Sequence, residues 1–422
     1  MPEFLRLQPP HEARSMLLSA MAAPLTAVEI ADTAKALHRV LAEDVLAPHA
    51  LPEFARSTVD GYAVRARDTH GASSSLPAYL KQVGEVAMGS APEMVIGATQ
   101  CALIHTGGML PPGADAVIML EYTQALPAQG GSSSHPGELE VLRPVAQGEN
   151  VIAVGEDVTA GEVVIRRGAR LRPQEVGGLM ALGITSVRVI RKPRIALISS
   201  GDEIVDPSSR PQPGQVRDVN ASSLASLVLE AGGEPVFLGV VPDEGGRVEA
   251  IARTALSTCD LVVITAGSSA STRDLTASII ASLGSPGVLV HGVSVRPGKP
   301  TILGVCEGKA VLGLPGNPVS AIIIARLFLI PAIATLLGLP VDGPRATIAA
   351  RLGVNLESQA GREDWWPVRL CRAPSSPMDW VAEPVFGRSN LIFSLVAATG
   401  LIRISAEKNG LSAGELVDVE PF

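Results

Sequence analysis

The chain has 422 residues, of which 46% are hydrophobic and 18% charged, so it is a well-packed globular protein and not a disordered one. This length exceeds what one hydrophobic core supports and suggests about three domains. The net charge is −8 and no block of Lys and Arg occurs, which argues against nucleic acid and anionic membrane as partners. An anionic ligand would therefore be bound by a few local cations.

Several features favour a cytoplasmic protein. Residues 1–4 lack the basic and apolar segments of a signal peptide. The cysteines form no C-x-x-C pair, which indicates reduced thiols and not a zinc site. Residues 321–339 are apolar enough to suggest a membrane span, but Arg326 and Pro331 interrupt them. We therefore predict a buried helix at a domain or subunit interface.

Local patterns predict short elements over the first 190 residues. Residues 10–23 are predicted to form a helix, a capping box from Thr26 to Glu29 predicts the start of another, and residues 39–45 are predicted to form a strand. From about 50 to 154 the pattern is that of a β-rich insertion, with a strand at 117–120 and a flexible loop at 130–137. Residues 173–182 are predicted to form a helix.

Strands and helices alternate between about 191 and 340. Apolar runs lie at 194–199, 235–241, 260–265, 287–295 and 310–314, and helical stretches lie at 220–231, 245–257, 274–283 and 317–338. This alternation predicts a parallel sheet covered on both faces, with ligands bound at the carboxyl ends of its strands. Beyond 341 the chain returns to short strands that predict a small β-barrel, at 347–352, 365–370, 379–385, 400–405 and 415–420.

Polar residues follow the predicted strands of the α/β region. They lie at 199–203, 243–244, 267–269, 296–299 and 316–317. Two of these places are Gly/Pro loops, at 296–300 and 313–318, and the second opens into a helix with Asn317 as its N-cap and Pro318 as its first residue. The helix start, together with Arg296 and Lys299, predicts an anion site. The alternative is a pair of tight turns without a ligand.

Carboxylates lie in three further turns. Asp60 precedes a strand in an Asp-Gly turn, and Asp157 and Glu203 each follow a glycine by two residues. The turns of Asp157 and Glu203 either bind Mg²⁺ through one or two carboxylates or are ordinary solvated turns, and the Asp60 turn taken alone is typical of an ordinary Asp-Gly turn. The loop at 265–274 has the hydroxyl and N–H groups to hold a phosphate, although it is neither a Walker A loop nor G-x-G-x-x-G. These residues together predict a site for a polyanion and a divalent metal.

The motifs, in this order, resemble those of the MoeA family of molybdopterin molybdenumtransferases, which includes the E domains of gephyrin and its plant counterpart. The resemblance covers nearly the whole chain. It rests on Thr58-Val59-Asp60-Gly61-Tyr62-Ala63-Val64, 110–117, Gly155-Glu156-Asp157-Val158, Ser200-Gly201-Asp202-Glu203, Gly214-Gln215, Asp218-Val219-Asn220, 296–300 and 313–320.

The resemblance implies an α/β multidomain protein that forms an elongated homodimer of four-domain subunits. The first domain would be discontinuous, at 24–49 and 155–190, and the β-rich second domain would lie between them at 50–154. The third, at 191–340, would be a doubly wound, MogA-like molybdopterin-binding domain with the helix of 1–23 nearby, and the fourth, at 341–422, a β-barrel. Each active site would form between the third and fourth domains of one subunit and the second domain of its partner.

The implied reaction takes adenylylated molybdopterin and molybdate, releases AMP with the help of Mg²⁺, and leaves molybdenum on the dithiolene. Asp60, Asp157 and Glu203 would bind metal or orient water, and Asp274 would join them in catalysis. The residues that would meet molybdate are Lys299, Pro300, Ser320 and Arg362. Those that would bind the pterin nucleotide are Thr106, Gly267, Ser268, Ser269, Asp274, Arg296, Gly298, Pro315, Gly316 and Asn317.

Two departures from the family pattern stand out. Arg296 replaces the usual Lys, and the usual Gly-Gly-x-Ser-x-Gly-x-x-Asp loop lacks two glycines over 266–274, where 273–276 is similar to MogA-type adenylyltransferases. Such an adenylyltransferase and the molybdoenzymes are the implied partners. The alternatives are a non-catalytic molybdopterin or molybdate carrier, and a nucleotide pyrophosphatase built on the same α/β domain.

Overall fold

The computed structural model describes residues 7–126, 137–266, 270–341, 343, 346–373 and 376–422. The first element is helix α1 (Pro10–Ala20), which confirms the helix predicted at 10–23. Pro10 occupies its first position, where a missing N–H costs nothing. Ala13 and Leu17 are fully buried in the core of the α/β region. Two strands follow, β1 (Val28–Asp32) and β2 (Val45–Leu46), separated by the 3₁₀ turn Thr33–Lys35.

The next part of the chain is β-rich, as predicted. Its elements are β3 (Arg56–Ser57), β4 (Gly61–Val64), β5 (Ala78–Glu85), β6 (Gln100–Ile104), β7 (Ala116–Met119), β8 (Thr123–Ala125), β9 (Glu138–Val141) and β10 (Val151–Ile152), with 3₁₀ turns at Ala66–Thr69 and Leu120–Tyr122. Six of these strands form a sheet in the order β7-β4-β6-β5-β9-β8, with an apolar cluster on each face. The strand predicted at 117–120 is confirmed, and the loop predicted at 130–137 lies, except for its last residue, outside the described residues.

The chain then returns to pair with its beginning, through β11 (Val163–Ile165), α2 (Pro173–Ala181) and β12 (Ser186–Ile190). β12 pairs antiparallel with β1, and β11 pairs with β2. The helix predicted to start at Thr26 is therefore wrong, because a distant partner strand overrides the local capping pattern. The strand predicted at 39–45 is also wrong, since Val40 and Leu41 form only isolated bridges. The helix predicted at 173–182 is confirmed.

Alternating elements follow from 194 to 336. They are β13 (Arg194–Ser200), β14 (Ile204–Val205), β15 (Val216–Arg217), α3 (Asn220–Ala231), β16 (Glu234–Val241), α4 (Gly245–Thr258), β17 (Leu261–Ala266), α5 (Ala270–Ser282), β18 (Pro286–His291), β19 (Val295–Arg296), β20 (Ile302–Cys306), β21 (Lys309–Pro315), α6 (Pro318–Ile324), a π-helical turn (Ala325–Leu329) and α7 (Ile330–Leu336). The sheet order is β16-β13-β17-β21-β20-β18.

The sheet is mixed, which corrects the prediction of a wholly parallel one. β20 runs antiparallel to both of its neighbours. It joins β21 through Glu307 and Gly308, which both have positive φ, as a tight two-residue hairpin requires. The single strand predicted at 287–295 is also divided, because the chain turns at Gly292 and β19 joins a different sheet.

Helices cover both faces of this sheet. One face packs against α1, α3, α6 and α7, and the other against α4 and α5. Pro318–Leu336 is a single helix that is long and apolar enough to cross a membrane. However, 67% of its apolar 18-residue segment is buried inside the protein. The prediction of a buried helix is confirmed. The π-turn lies just before Pro331, whose missing N–H disrupts the ordinary α-helical ladder.

The C-terminal part forms the predicted β-barrel. Its elements are β22 (Ile348–Leu352), β23 (Leu356–Glu357), β24 (Glu363–Ala373), β25 (Ser376–Pro384), α8 (Phe393–Val396), β26 (Gly400–Ile404), β27 (Gly410–Leu411) and β28 (Leu416–Pro421). Five strands close on themselves in the order β24-β25-β22-β28-β26, because β26 also pairs with β24. β19 of the α/β region adds to the edge of β24 and so ties the two regions together.

Candidate active site

The first predicted anion loop is fixed by its own hydrogen bonds. The backbone N–H of Val293 donates to the carbonyl of Lys299 over 3.0 Å, and the hydroxyl of Thr301 donates to the carbonyl of Gly298 over 2.6 Å. Gly298 has a φ of 116°, and a Cβ at this position would lie 2.4 Å from Ile324 of α6. Only glycine fits there, so the loop can lie directly against the helix. Lys299 is consequently held by rigid backbone while its side chain remains exposed.

The second loop is joined both to the barrel and to α3 of its own region. Asn317 precedes α6 at the N-cap position, as predicted, but its side chain does not cap the helix. Instead, its Nδ2 donates to the hydroxyl of Ser389 over 3.1 Å, and the carbonyl of Ser389 accepts the backbone N–H of Val319. On the other side, Asn220 donates to the carbonyl of Gly316 over 2.8 Å. The start of α6 therefore lies against the polar loop that follows β25.

A cleft of about 900 Å³ lies between these loops and the barrel. Its walls come from the α/β loops on one side and from the barrel segments around 359–367 and 385–394 on the other. The predicted site residues that line it are Arg296, Gly298, Lys299, Pro300, Pro315, Asn317, Ser320 and Arg362. Gly316 does not line the cleft, but its carbonyl helps to hold the second loop.

The cleft is rich in cationic groups. Arg296, Lys299 and Arg362 all line it, and the buried hydroxyl of Ser320 lies in the first turn of α6, near the positive end of the helix dipole. No carboxylate among the described residues lies within 4.0 Å of the Lys299 ammonium. This arrangement favours an anion with several oxygen atoms.

Sequence reasoning missed the residues that support these cations. Asp364 is 1% exposed and accepts hydrogen bonds from Nε and Nη2 of Arg362, over 2.8 and 3.4 Å. The guanidinium of Arg296 lies 3.5 Å from the same carboxylate and 5.5 Å above the Trp366 ring. The signal for Asp364 was a carboxylate two residues after Arg362, near enough in the sequence to pair with that cation. Ser389 lies in a polar loop for which the local sequence patterns predicted no function.

Two predicted polar residues meet elsewhere, in the β-rich sheet. Asp60 accepts the backbone N–H of Thr106 over 2.7 Å and its hydroxyl over 3.0 Å. These hydrogen bonds, with the His105 ring 3.8 Å away, hold the pKa of Asp60 below its ordinary value of 3.8. Asp60 is therefore an exposed, ionised carboxylate, and it does not line the cleft.

The other predicted carboxylates are separate. Asp157 and Glu203 lie exposed in loops of different regions, and Asp274 lies exposed near the start of α5. No group of three His, Cys, Asp or Glu side chains with metal-binding geometry occurs in the described part of the chain. The metal set of Asp60, Asp157 and Glu203 is thus not assembled within one chain. Gly267, Ser268 and Ser269 lie outside the described residues.

Comparison with known proteins gives the same succession of regions along the whole chain. "MoeA N-terminal region (domain I and II)" matches residues 8–183, "Probable molybdopterin binding domain" matches 196–335, and "MoeA C-terminal region (domain IV)" matches 349–422. The chain is 36% identical to a molybdopterin molybdenumtransferase of Bacillus subtilis, over 71% of this chain and 68% of the relative.

Other relatives match from end to end. A molybdopterin molybdenumtransferase of Haemophilus influenzae is 31% identical over 97% of this chain and 98% of its own. The crystal structure of a molybdopterin biosynthesis MoeA protein from Pyrococcus horikoshii superposes with a TM-score of 0.82 at 31% identity, covering 99% of this chain and 100% of that one. The chain therefore belongs to the MoeA family of molybdopterin molybdenumtransferases, as its motifs predicted.

Proposed function

We propose that this chain is an enzyme of molybdenum cofactor biosynthesis that inserts molybdenum from molybdate into molybdopterin. The observation that carries the proposal is the cleft in which Arg296, Lys299 and Arg362 lie together between the α/β region and the barrel. Molybdate and the dithiolene are both anionic, so cations that face both of them lower their mutual repulsion. The match of 196–335 to a molybdopterin-binding domain supports a pterin beside the same cleft.

Each group has a distinct role in this proposal. Lys299 supplies a compact positive charge to molybdate, and Arg362 offers the planar fork of donors that suits an oxyanion. The hydroxyl of Ser320 and the start of α6 contribute further donors. The loop over 315–317 and Gly298 are proposed to face the pterin, and Arg296 is proposed to serve both the pterin nucleotide and, with Arg362, the oxyanion.

The substrate is proposed to be adenylylated molybdopterin, with release of AMP on insertion. Mg²⁺ is proposed as an aid to this release, since Mg²⁺ is commonly held by one or two carboxylates and the phosphates of a substrate. The candidate ligands Asp60, Asp157 and Glu203 do not come together within one chain. We therefore derive no step through the metal.

A homodimer would bring Asp60 and Thr106 of one subunit to the cleft of the other. Exposed apolar side chains in the discontinuous first domain support such an interface, because monomers rarely leave many of them in water. They are Val28, Ile30, Leu37, Leu46 and Met180. Apolar clusters confined to the first domain, the β-rich sheet and the barrel support the proposed division into four domains. We further propose that the protein is cytoplasmic. Its proposed partners are a MogA-type adenylyltransferase and the molybdoenzymes that receive the cofactor.

Anaerobic incubation with adenylylated molybdopterin and molybdate, with and without Mg²⁺, tests this function. We expect molybdate to trigger AMP release and to yield cofactor that activates an apo-molybdoenzyme. AMP release that is independent of molybdate would indicate a nucleotide pyrophosphatase. Tight binding of both substrates without AMP release would indicate a carrier.

A further inference from the structure

The most deeply buried charge at the cleft is a carboxylate. Asp364 has only 1% of its side chain exposed, yet both of its oxygen atoms face arginines of the cleft wall. Its Oδ1 accepts the Nε–H of Arg362 over 2.8 Å, and its Oδ2 lies 3.4 Å from Nη2 of Arg362 and 3.5 Å from Nη1 of Arg296. One carboxylate thus joins a cation of the barrel to a cation of the α/β loop.

These contacts leave defined donors free for a ligand. Arg362 uses Nε and Nη2 on Asp364, so its Nη1 remains available. Arg296 contacts Asp364 through Nη1 and lies above the Trp366 ring, so its fork has little rotational freedom. The register of β19 with β24 places Arg296 directly opposite Asp364, which fixes the distance between the two arginines.

We propose that Asp364 is a positioning residue that holds Arg296 and Arg362 as a two-arginine clamp for the tetrahedral oxyanion. The inference rests on the proposed function, because it assumes that molybdate is bound in this cleft. Asp364 does not touch the oxyanion itself. It acts by presenting two guanidinium groups already ordered, so that binding does not have to immobilise them.

Charge and geometry make opposite predictions for Asp364→Asn. If Asp364 served only to reduce the positive charge, its removal would tighten the binding of a dianion. If it positions the arginines, the variant replaces Oδ2, which faces both guanidinium groups, with an NH₂ donor, so Arg296 loses its carboxylate partner and Arg362 keeps only its bond to Oδ1. The positioning role therefore predicts weaker molybdate binding despite the added net positive charge.

The test is calorimetric titration of molybdate into the pterin-free full-length protein, together with steady-state kinetics. We expect Asp364→Asn to raise the molybdate Kd and KM by at least about tenfold, as the loss of one charge-assisted hydrogen bond implies, with kcat changed less than about twofold. Asp260→Asn is the matched control, because Asp260 also pairs with an arginine, Arg191, through two bonds of 2.7 Å, and it does not line the cleft. Both variants should melt earlier, but only Asp364→Asn should bind molybdate more weakly.

A second variant separates this inference from the proposed function. Arg362→Lys keeps the charge but loses the fork, so we expect weak binding that Asp364→Asn does not weaken much further in the double variant. Unchanged or tighter binding by Asp364→Asn, with Arg362→Lys still impaired, would overturn the positioning role alone. If Arg362→Lys and Lys299→Ala both left molybdate binding unchanged, the proposed molybdate site itself would be wrong.

Discussion

Lys299 differs from Arg296 and Arg362 of the cleft because no carboxylate of the described residues pairs with it. Its charge is therefore fully available to a ligand, whereas the charges of Arg296 and Arg362 are partly balanced by Asp364. An ammonium about 4 Å from an anion is worth roughly 1–4 kcal/mol, depending on how far water is excluded. Lys299 should consequently contribute to molybdate binding much more than to folding.

Lys299→Ala should raise the molybdate concentration for half-maximal AMP release by about tenfold or more, because a large part of that energy is lost. The melting temperature should change little, since the side chain is exposed. Lys299→Arg should rescue only partly, because a planar fork replaces a compact charge. Lys192→Ala, which changes an exposed lysine outside the cleft, is the control. If Lys299→Ala lowered the melting temperature and left the molybdate dependence unchanged, the loop would be a structural turn and not a molybdate site.

Thr106→Val should raise the pKa of Asp60 part of the way towards its ordinary value of 3.8, because it removes the hydroxyl donor but keeps the backbone N–H, which is the larger cause of the lowered pKa. A depressed pKa keeps Asp60 ionised, and the stability linked to that charge is lost only as the pH falls through the folded-state pKa. The acid limb of insertion activity should therefore move to higher pH in the variant. Carboxyl NMR titration measures the shift, with Thr123→Val as control. If the pKa of Asp60 were the same in Thr106→Val as in the unmodified protein, this role of Thr106 would be contradicted.

At the scale of elements, sequence patterns predicted best where buried strands and helices repeat. The strand predicted at 194–199 and the helix predicted at 220–231 were confirmed, because continuous burial leaves a strong apolar signal. β20 was missed because its five residues lie within a hairpin whose turn has no Asn-Gly pair. β1 was misread as a helix because its partner, β12, is distant in the sequence.

The loop between β19 and β20 depends on one glycine. Gly298→Ala should destabilise the protein by roughly 1–3 kcal/mol, because it combines positive φ with a clash against Ile324. Molybdate binding should weaken as Lys299 shifts. Gly161→Ala separates the two effects, since Gly161 also has positive φ but has no atom within 4 Å of an added Cβ. Denaturant unfolding of both variants provides the comparison, and equal losses would show that the contact with α6 is unimportant.

At the scale of the whole molecule, the site draws on regions that no local pattern connects. Lys299 was predicted from its Gly/Pro loop and Arg362 from the family resemblance, but their meeting depends on how the barrel docks on the α/β region through β19 and β24. Ser389 was missed for the same reason, since its partner Asn317 comes from another region, and so was the contact of Asp364 with Arg296. Asp60 and Thr106 lie outside the cleft of their own chain.

Mixed dimers test whether two subunits build one site. Asp60→Asn and Asp274→Ala should each abolish insertion, and co-refolded mixtures should recover part of the activity, because one site of the heterodimer would hold neither substitution. Subunit exchange is verified with differently tagged chains. Absence of recovery in verified heterodimers would show that each site is built within one chain.

The most direct test of the proposed molybdate site is the position of molybdate in a crystal, located by anomalous scattering at the molybdenum absorption edge. We expect a peak in the cleft, within hydrogen-bonding distance of Lys299 and Arg362 and close to Ser320. The peak should disappear in Lys299→Ala crystals soaked at the same concentration. A peak outside this cleft, or one in the cleft that survives the loss of Lys299 unchanged, would contradict the proposed site.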